Sequence, residues 1–134
     1  VLKQLLREAS AAFSRAIEAP TDRLQVWITE VDPELYAIAG EPADEVLQRV
    51  PRAQAEIPLI RMALMEGRPV ETLHRVMADL SEVVARVLGG DPQRVRVQID
   101  HIHPDRWAIG GAPASRVRAA ELAQRAAAQA AKTP

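Results

Sequence analysis

The chain contains no cysteine. That excludes disulfides, zinc–thiolate sites and thiol nucleophiles, and it fits the cytoplasmic location expected here. Aromatic residues are scarce, with one Phe, one Tyr and two Trp in 134 residues. Neither sign of charge is in excess: 17 Lys and Arg stand against 18 Asp and Glu. No basic face of the kind that binds nucleic acid is expected. Long apolar runs are also missing, none approaching the roughly 18 residues of a membrane span. The start, "VLKQLLREAS", is amphipathic and carries both charges, unlike a signal peptide. Neither a nucleic-acid nor a membrane partner is expected. What the chain has is 48% apolar residues, enough to core one domain or two very small ones.

The apolar residues fall in periodic blocks. Leu2, Leu5, Leu6, Ala9, Phe13, Ala16 and Ile17 recur at spacings of three and four, which predicts a helix ended by "APTD" at 19–22. "RLQVWITEV" then alternates, with Leu24, Val26 and Ile28 on one side and Gln25, Trp27 and Thr29 on the other, the pattern of a half-buried strand. "DPELYAIAGEPADE" is turn-rich and fits a short hairpin, and "VLQRVPRAQAE" reads as a linker with one helical turn. A strand is predicted over 57–64. A helix over 70–88 follows, with Leu73, Val76, Met77, Leu80, Val83, Val84, Val87 and Leu88 on one face and Gly89–Gly90 closing it. "RVRVQID" alternates again through Val95, Val97 and Ile99. The alanine-rich stretch from Arg116 has helical propensity but a weak apolar face, and is expected to be dispensable for folding.

The blocks repeat. Shifted by 71 residues, "QVWITEVDPELYAIAG" lies on "RVQIDHIHPDRWAIGG" without a gap, so that Val26 meets Val97, Pro33 meets Pro104, Tyr36 meets Trp107 and "AIAG" meets "AIGG". The first helix falls on the second. Each half is therefore a helix, a strand and an aromatic–glycine turn, and the second half adds a leading strand at Pro58. Its helix is long enough for a right-handed crossover, so its two strands should run parallel. The expected architecture is α/β (α+β): tandem β-α-β units, a mixed sheet of about four strands and two helices on one face, with the first β-strand missing. The shift places that strand's start about fourteen residues ahead of Val1. A one-sided sheet of this kind asks for a partner, and an oligomer is expected.

These residues resemble the tautomerase superfamily, specifically a fused, two-unit 4-oxalocrotonate tautomerase. The resemblance divides the chain into a first, incomplete unit (1–45), a linker (46–57), a second unit (58–118) and the tail (119–134). It implies an assembly of homotrimers. Pro58 stands at the family's amino-terminal proline, the general base. "LMEGR" places Arg68, and "VRV" places Arg96, at the two substrate-binding arginines, the second of which reaches a neighbouring subunit's site. "RWAIGG" places Trp107 and Ile109 at an apolar wall, and Tyr36 is the counterpart of Trp107 in the first unit. The family's base is a free secondary amine with a lowered pKa. Pro58 is internal, its nitrogen an amide without a basic lone pair, and Gln25 replaces the strand arginine in the first unit.

The resemblance implies an enzyme, an isomerase moving a proton along a 2-hydroxy-dienoate or related unsaturated carboxylic acid, with arginines on the carboxylate and no cofactor. Two alternatives stand beside it. One is a vestigial, non-catalytic assembly subunit. The other is a related hydratase or dehalogenase of unsaturated acids, for which Glu30 and Glu66 are the available carboxylates. His101 and His103 lie two apart at a strand end, but with no third ligand in register no metal site is expected.

Overall fold

The computed structural model of the chain describes residues 1–132. It divides into two compact units, one made of Val1–Ile60 with Arg75–Val97, the other of Arg61–His74 with the chain from Gln98 onward.

Helix α1 (Leu2–Ile17) ends where Glu18 turns left-handed, with φ 55°. It buries Leu5, Ala12, Ala16 and Ile17, the predicted stripe displaced slightly so that Leu2 is exposed. After a 3-10 turn at Thr21–Arg23, the chain forms a hairpin of β1 (Ala37–Ile38) and β2 (Glu41–Pro42), then the short helices α2 (Ala43–Val46) and α3 (Arg52–Ala55). Strand β3 (Leu59–Met65), helix α4 (Val70–Leu88) and strand β4 (Arg96–Ile102) follow. The chain closes with the hairpin β5 (Ala108–Ile109) and β6 (Ala112–Pro113), helix α5 (Ala114–Val117) and helix α6 (Ala119–Lys132).

The predicted 70–88 helix is α4 residue for residue, and its Val76, Leu80, Val83, Val84 and Ala85 are buried. With the buried residues of α1, with Ala43, Val46 and Ala55, and with Val95, they form the core of the first unit. Val76 is fully enclosed, a burial that stabilises by about 1.5–3 kcal/mol. Glu8 of α1 accepts from Arg86 of α4 at 2.7 Å, and Arg86 also reaches Glu82 one turn earlier.

Strands β3 and β4 pair. The Arg96 N–H donates to the Pro58 carbonyl at the start of both, and the Glu66 N–H donates to the Ile102 carbonyl at their ends. Start meets start, so the pair is parallel, as the crossover through α4 requires. Along β4, Val95, Val97 and Ile99 turn inward while Arg96, Gln98 and Asp100 are exposed.

Among the described residues the expected sheet of about four strands is not formed; the strands pair only two by two. The β3–β4 sheet has two strands, and residues 23–31, predicted as a strand, join no ladder among the described residues. Leu24 does have extended backbone angles, φ −107° and ψ 142°. Alternating sequence supplies the conformation of a strand, but a ladder also needs an adjacent strand to pair with. Without one, Val26, Trp27 and Val31 lie exposed.

The 71-residue correspondence recurs in the turns, the hairpins and the short helices that follow them. The 3-10 turns at Thr21–Arg23 and Pro33–Leu35 return at Pro92–Arg94 and Pro104–Arg106, the β1–β2 hairpin as β5–β6, and α2 as α5. Hydrogen bonds repeat too. Ala43 N–H donates to the Tyr36 carbonyl at 2.9 Å, and Ala114 N–H donates to the Trp107 carbonyl at 2.7 Å. Both alanines have no exposed surface. Each hairpin turns on two residues with positive φ, Ala39 and Gly40 (51° and 83°) in the first, Gly110 and Gly111 (61° and 84°) in the second. That pair of angles is the one a two-residue loop needs to match the twist of its strands.

Candidate active site

The residues expected at the site fall into two groups. Pro58, Arg96 and Tyr36 belong to the first unit, and Arg68, Trp107 and Ile109 to the second.

In the first group, Pro58 precedes β3 and is half-buried. Its carbonyl takes the Arg96 N–H at 2.9 Å, so these two positions are neighbours on adjacent strands. The Pro58 nitrogen is acylated by Ile57, which leaves it without a lone pair to accept a proton. Arg96 is exposed, and its guanidinium folds back on the preceding 3-10 turn, Nη1 donating to the Gln93 carbonyl at 2.9 Å. A guanidinium stays cationic at any working pH and retains further donors for a carboxylate.

Tyr36 is half-buried, and its hydroxyl donates to Glu56 Oε1 at 2.6 Å. The Glu56 carboxylate also receives Arg52 Nε at 2.8 Å. The hydrogen bond to Glu56 raises the Tyr36 pKa, and burial and the nearby negative charge add to the effect. No local pattern marks this partnership, because Glu56 lies in the segment read as a linker. Arg94 was likewise missed. Its guanidinium donates to the carbonyls of Ala55 and Glu56, at 2.7 and 3.1 Å, and ties that linker to the start of β4.

In the second group, Arg68 follows Gly67, whose φ of 126° only glycine adopts without strain. Arg68 is half-buried. Trp107 and Ile109 are half-buried on the β5–β6 hairpin and its approach. Helix α6 lies over the Arg68 turn. Gln129 Nε2 donates to the Gly67 carbonyl, and the Leu122 side chain stands 3.4 Å from where a Cβ on Gly67 would be. Leu122 is the one large apolar residue between Val117 and the chain's end, a signal that composition alone diluted.

The two histidines have ordinary structural surroundings. His103 Nδ1 accepts the Asp105 N–H at 3.0 Å and caps the Pro104–Arg106 turn, while His101 is exposed. Glu30 is exposed, and Glu66 is half-buried at the end of β3.

A parallel β-α-β unit closed by an aromatic–glycine hairpin, with an arginine on each of its two turn-and-strand positions, defines a tautomerase fold, and the chain belongs to the tautomerase family. The family's sequence profile, that of the tautomerase enzyme, matches residues 58–116. The chain is 36% identical over 62 residues to the 2-hydroxymuconate tautomerase of Pseudomonas sp. (strain CF600), a match covering 46% of this chain and 98% of that protein. Among solved structures it is similar to native fused 4-OT, with a TM-score of 0.75, 28% identity and 87% of each chain covered. It is also similar to a wild-type fused 4-OT asymmetric trimer, with a TM-score of 0.72, 27% identity, and 87% of this chain and 86% of that one covered. The whole-chain likeness to fused proteins agrees with the 71-residue repeat.

Proposed function

We propose that the protein is a tautomerase-like isomerase that moves a proton along a 2-hydroxy-dienoate or related unsaturated carboxylic acid. The observation that carries this reading is the match to 2-hydroxymuconate tautomerase over nearly the whole of that protein. In this reading Arg68 and Arg96 hold the carboxylate and carbonyl oxygens, and Trp107, Ile109 and Tyr36 line the apolar side. The proton acceptor is a group other than Pro58, whose amide nitrogen has no affinity for a proton near neutrality. The chains act as homotrimers, on the pattern of the fused 4-OT trimer, and need no cofactor.

The test is ketonisation of 2-hydroxymuconate and of phenylenolpyruvate, followed by absorbance. Arg68→Ala and Arg96→Ala should each lower kcat/KM about ten- to a hundredfold, the loss of a charged hydrogen bond worth roughly 1.5–3 kcal/mol. Pro58→Ala should retain turnover. Unchanged rates in both arginine variants, or abolition by Pro58→Ala alone, would overturn the assignment. The acylated nitrogen of Pro58 favours a second reading, a non-catalytic assembly subunit. Its signature is carboxylate binding without turnover by the unmodified chain.

A further inference from the structure

One side chain fixes the approach to β4 onto the linker. Arg94 closes the 3-10 turn Pro92–Arg94. Its guanidinium donates through Nη2 to the Ala55 carbonyl at 2.7 Å and through Nε to the Glu56 carbonyl at 3.1 Å. The planar fork of an arginine lets one side chain span two successive carbonyls in this way. Two residues beyond Glu56, the Pro58 carbonyl takes the Arg96 N–H at 2.9 Å. The clamp and the first ladder bond together hold the end of the linker against the head of β4. All of these residues belong to the first unit.

The turn that Arg94 pins is also the seat of Arg96. Arg96 Nη1 donates to the Gln93 carbonyl at 2.9 Å, with the Val95 carbonyl at 3.4 Å. The same turn is capped from its other end. Asp91 Oδ1 accepts the Gln93 N–H at 2.9 Å, and the Arg94 N–H donates to the Asp91 carbonyl at 3.0 Å. Gln93 is therefore held by its N–H while its carbonyl holds Arg96. Arg96 is exposed, and a long exposed side chain otherwise loses much rotamer freedom when it takes a ligand. The repeat supplies an internal contrast. In the first half Arg23 stands at the position of Arg94, but Pro20 stands at that of Asp91 and the Thr21–Arg23 turn has no side-chain cap. There Gln25 stands at the position of Arg96. The capped turn and the strand arginine occur together in one half and are missing together from the other.

We propose that the Pro92–Arg94 turn is a platform that pre-sets the Arg96 guanidinium for a carboxylate, with Arg94 and Asp91 as its positioning residues. This rests on the reading of Arg96 as a carboxylate ligand and assigns what orients it. Arg94 acts by pinning the turn to the linker, and Asp91 by capping it.

The test uses the full chain and two readouts. The first needs no ligand. The order of the Arg96 Nε–H bond, from NMR relaxation, should fall in Arg94→Ala and in Asp91→Ala. It should stay at the wild-type level in Asp91→Asn, whose amide oxygen keeps the cap. The second is titration calorimetry with cinnamate, an unsaturated carboxylate without an enol. Arg94→Ala and Asp91→Ala should each weaken binding about three- to tenfold. Neither should add to the loss in Arg96→Ala, because each acts through Arg96. The sign for Asp91 separates shape from charge: removing an acid near an anion site would by charge alone tighten binding, whereas loss of the cap weakens it. If Arg94→Ala does not fold, the contrast between Asp91→Ala and Asp91→Asn decides. Unchanged Arg96 order in either alanine variant, a full further loss on the Arg96→Ala background, or tighter binding by Asp91→Ala would overturn the proposal. Lowered Arg96 order in a chain whose cinnamate affinity ignores Arg96→Ala would uphold the positioning of Arg96 while sinking the carboxylate reading.

Discussion

The hydroxyl of Tyr36 donates to Glu56 at 2.6 Å, while its counterpart 71 residues on, Trp107, has no oxygen with which to make such a bond. Tyr36 is the only tyrosine in the chain, so its ionisation can be followed by phenolate absorbance without interference. Its midpoint should lie above the ordinary tyrosine value of about 10, because ionisation would break the bond to Glu56 and set two negative charges together. Glu56→Ala should bring it down. A folded-state pKa raised above the unfolded value contributes stability that is present below the unfolded value and lost as pH rises through the folded one. A loss of stability between the two values should therefore be seen in the wild type and be diminished in Glu56→Ala, and an identical titration in both proteins would contradict the bond.

Glu8 shows the opposite sign. Its carboxyl is held below its ordinary value, first by the hydrogen bond from Arg86 and then by that from Gln4. Stability from this pair is present above the unfolded pKa and is lost as pH falls through the lower folded one. An NMR titration should find the Glu8 side chain below the ordinary glutamate value. Arg86→Ala should move it up, and a Glu8 midpoint unmoved by that change would rule out the pair as the cause.

Ala39 should be a point of strain. It occupies a left-handed position that glycine fills in the second hairpin. The left-handed region costs a residue with a Cβ roughly 1–2 kcal/mol, partly offset by the entropy glycine loses on folding. Ala39→Gly is expected to stabilise by about 0.5–1 kcal/mol, and Gly110→Ala to destabilise by a similar amount. Chemical denaturation of the two variants checks both signs, and destabilisation by Ala39→Gly would refute the account.

Self-association is expected through the unpaired segment. Trp27 is 73% exposed, and Val26, Val31, Leu35, Ile57 and Leu59 are also uncovered. Light scattering at micromolar concentration should return three times the chain mass of 14.7 kDa, and Trp27→Asp should lower it. A monomeric wild type would exclude the trimer.

Local patterns in the sequence carried most of the fold. Helix α4 lies where its eight-residue apolar face ended at Gly89–Gly90, and β4 follows the alternation of Val95, Val97 and Ile99. The 71-residue shift anticipated both hairpins, because Pro33 and Pro104 open matching turns before Tyr36 and Trp107. The segment 23–31 departs from expectation for a nonlocal reason: its alternation is that of a strand, but pairing depends on what lies beside it. For the candidate site, their positions after a glycine and at the head of a strand single out Arg68 and Arg96 as candidates. The contacts of Glu56 and Arg94 were not legible, since Tyr36 lies 20 positions from Glu56 and Arg94 lies 38 and 39 positions from the carbonyls it meets, and no period links them. The alanine-rich tail concealed its own role, because one leucine and one glutamine on the correct face suffice to dock it on Gly67.

The 71-residue correspondence also makes the molecule its own experimental reference. Ala39 and Gly110 experience the same solvent, temperature, ionic strength and protein concentration in every tube. A difference in amide exchange between the two hairpins within one sample is therefore free of the errors that separate preparations introduce. The same holds for Tyr36 and Trp107, whose carbonyls accept equivalent bonds from Ala43 and Ala114. Perturbations confined to one half can be read against the other, a comparison that a single-unit protein would need a second preparation to provide.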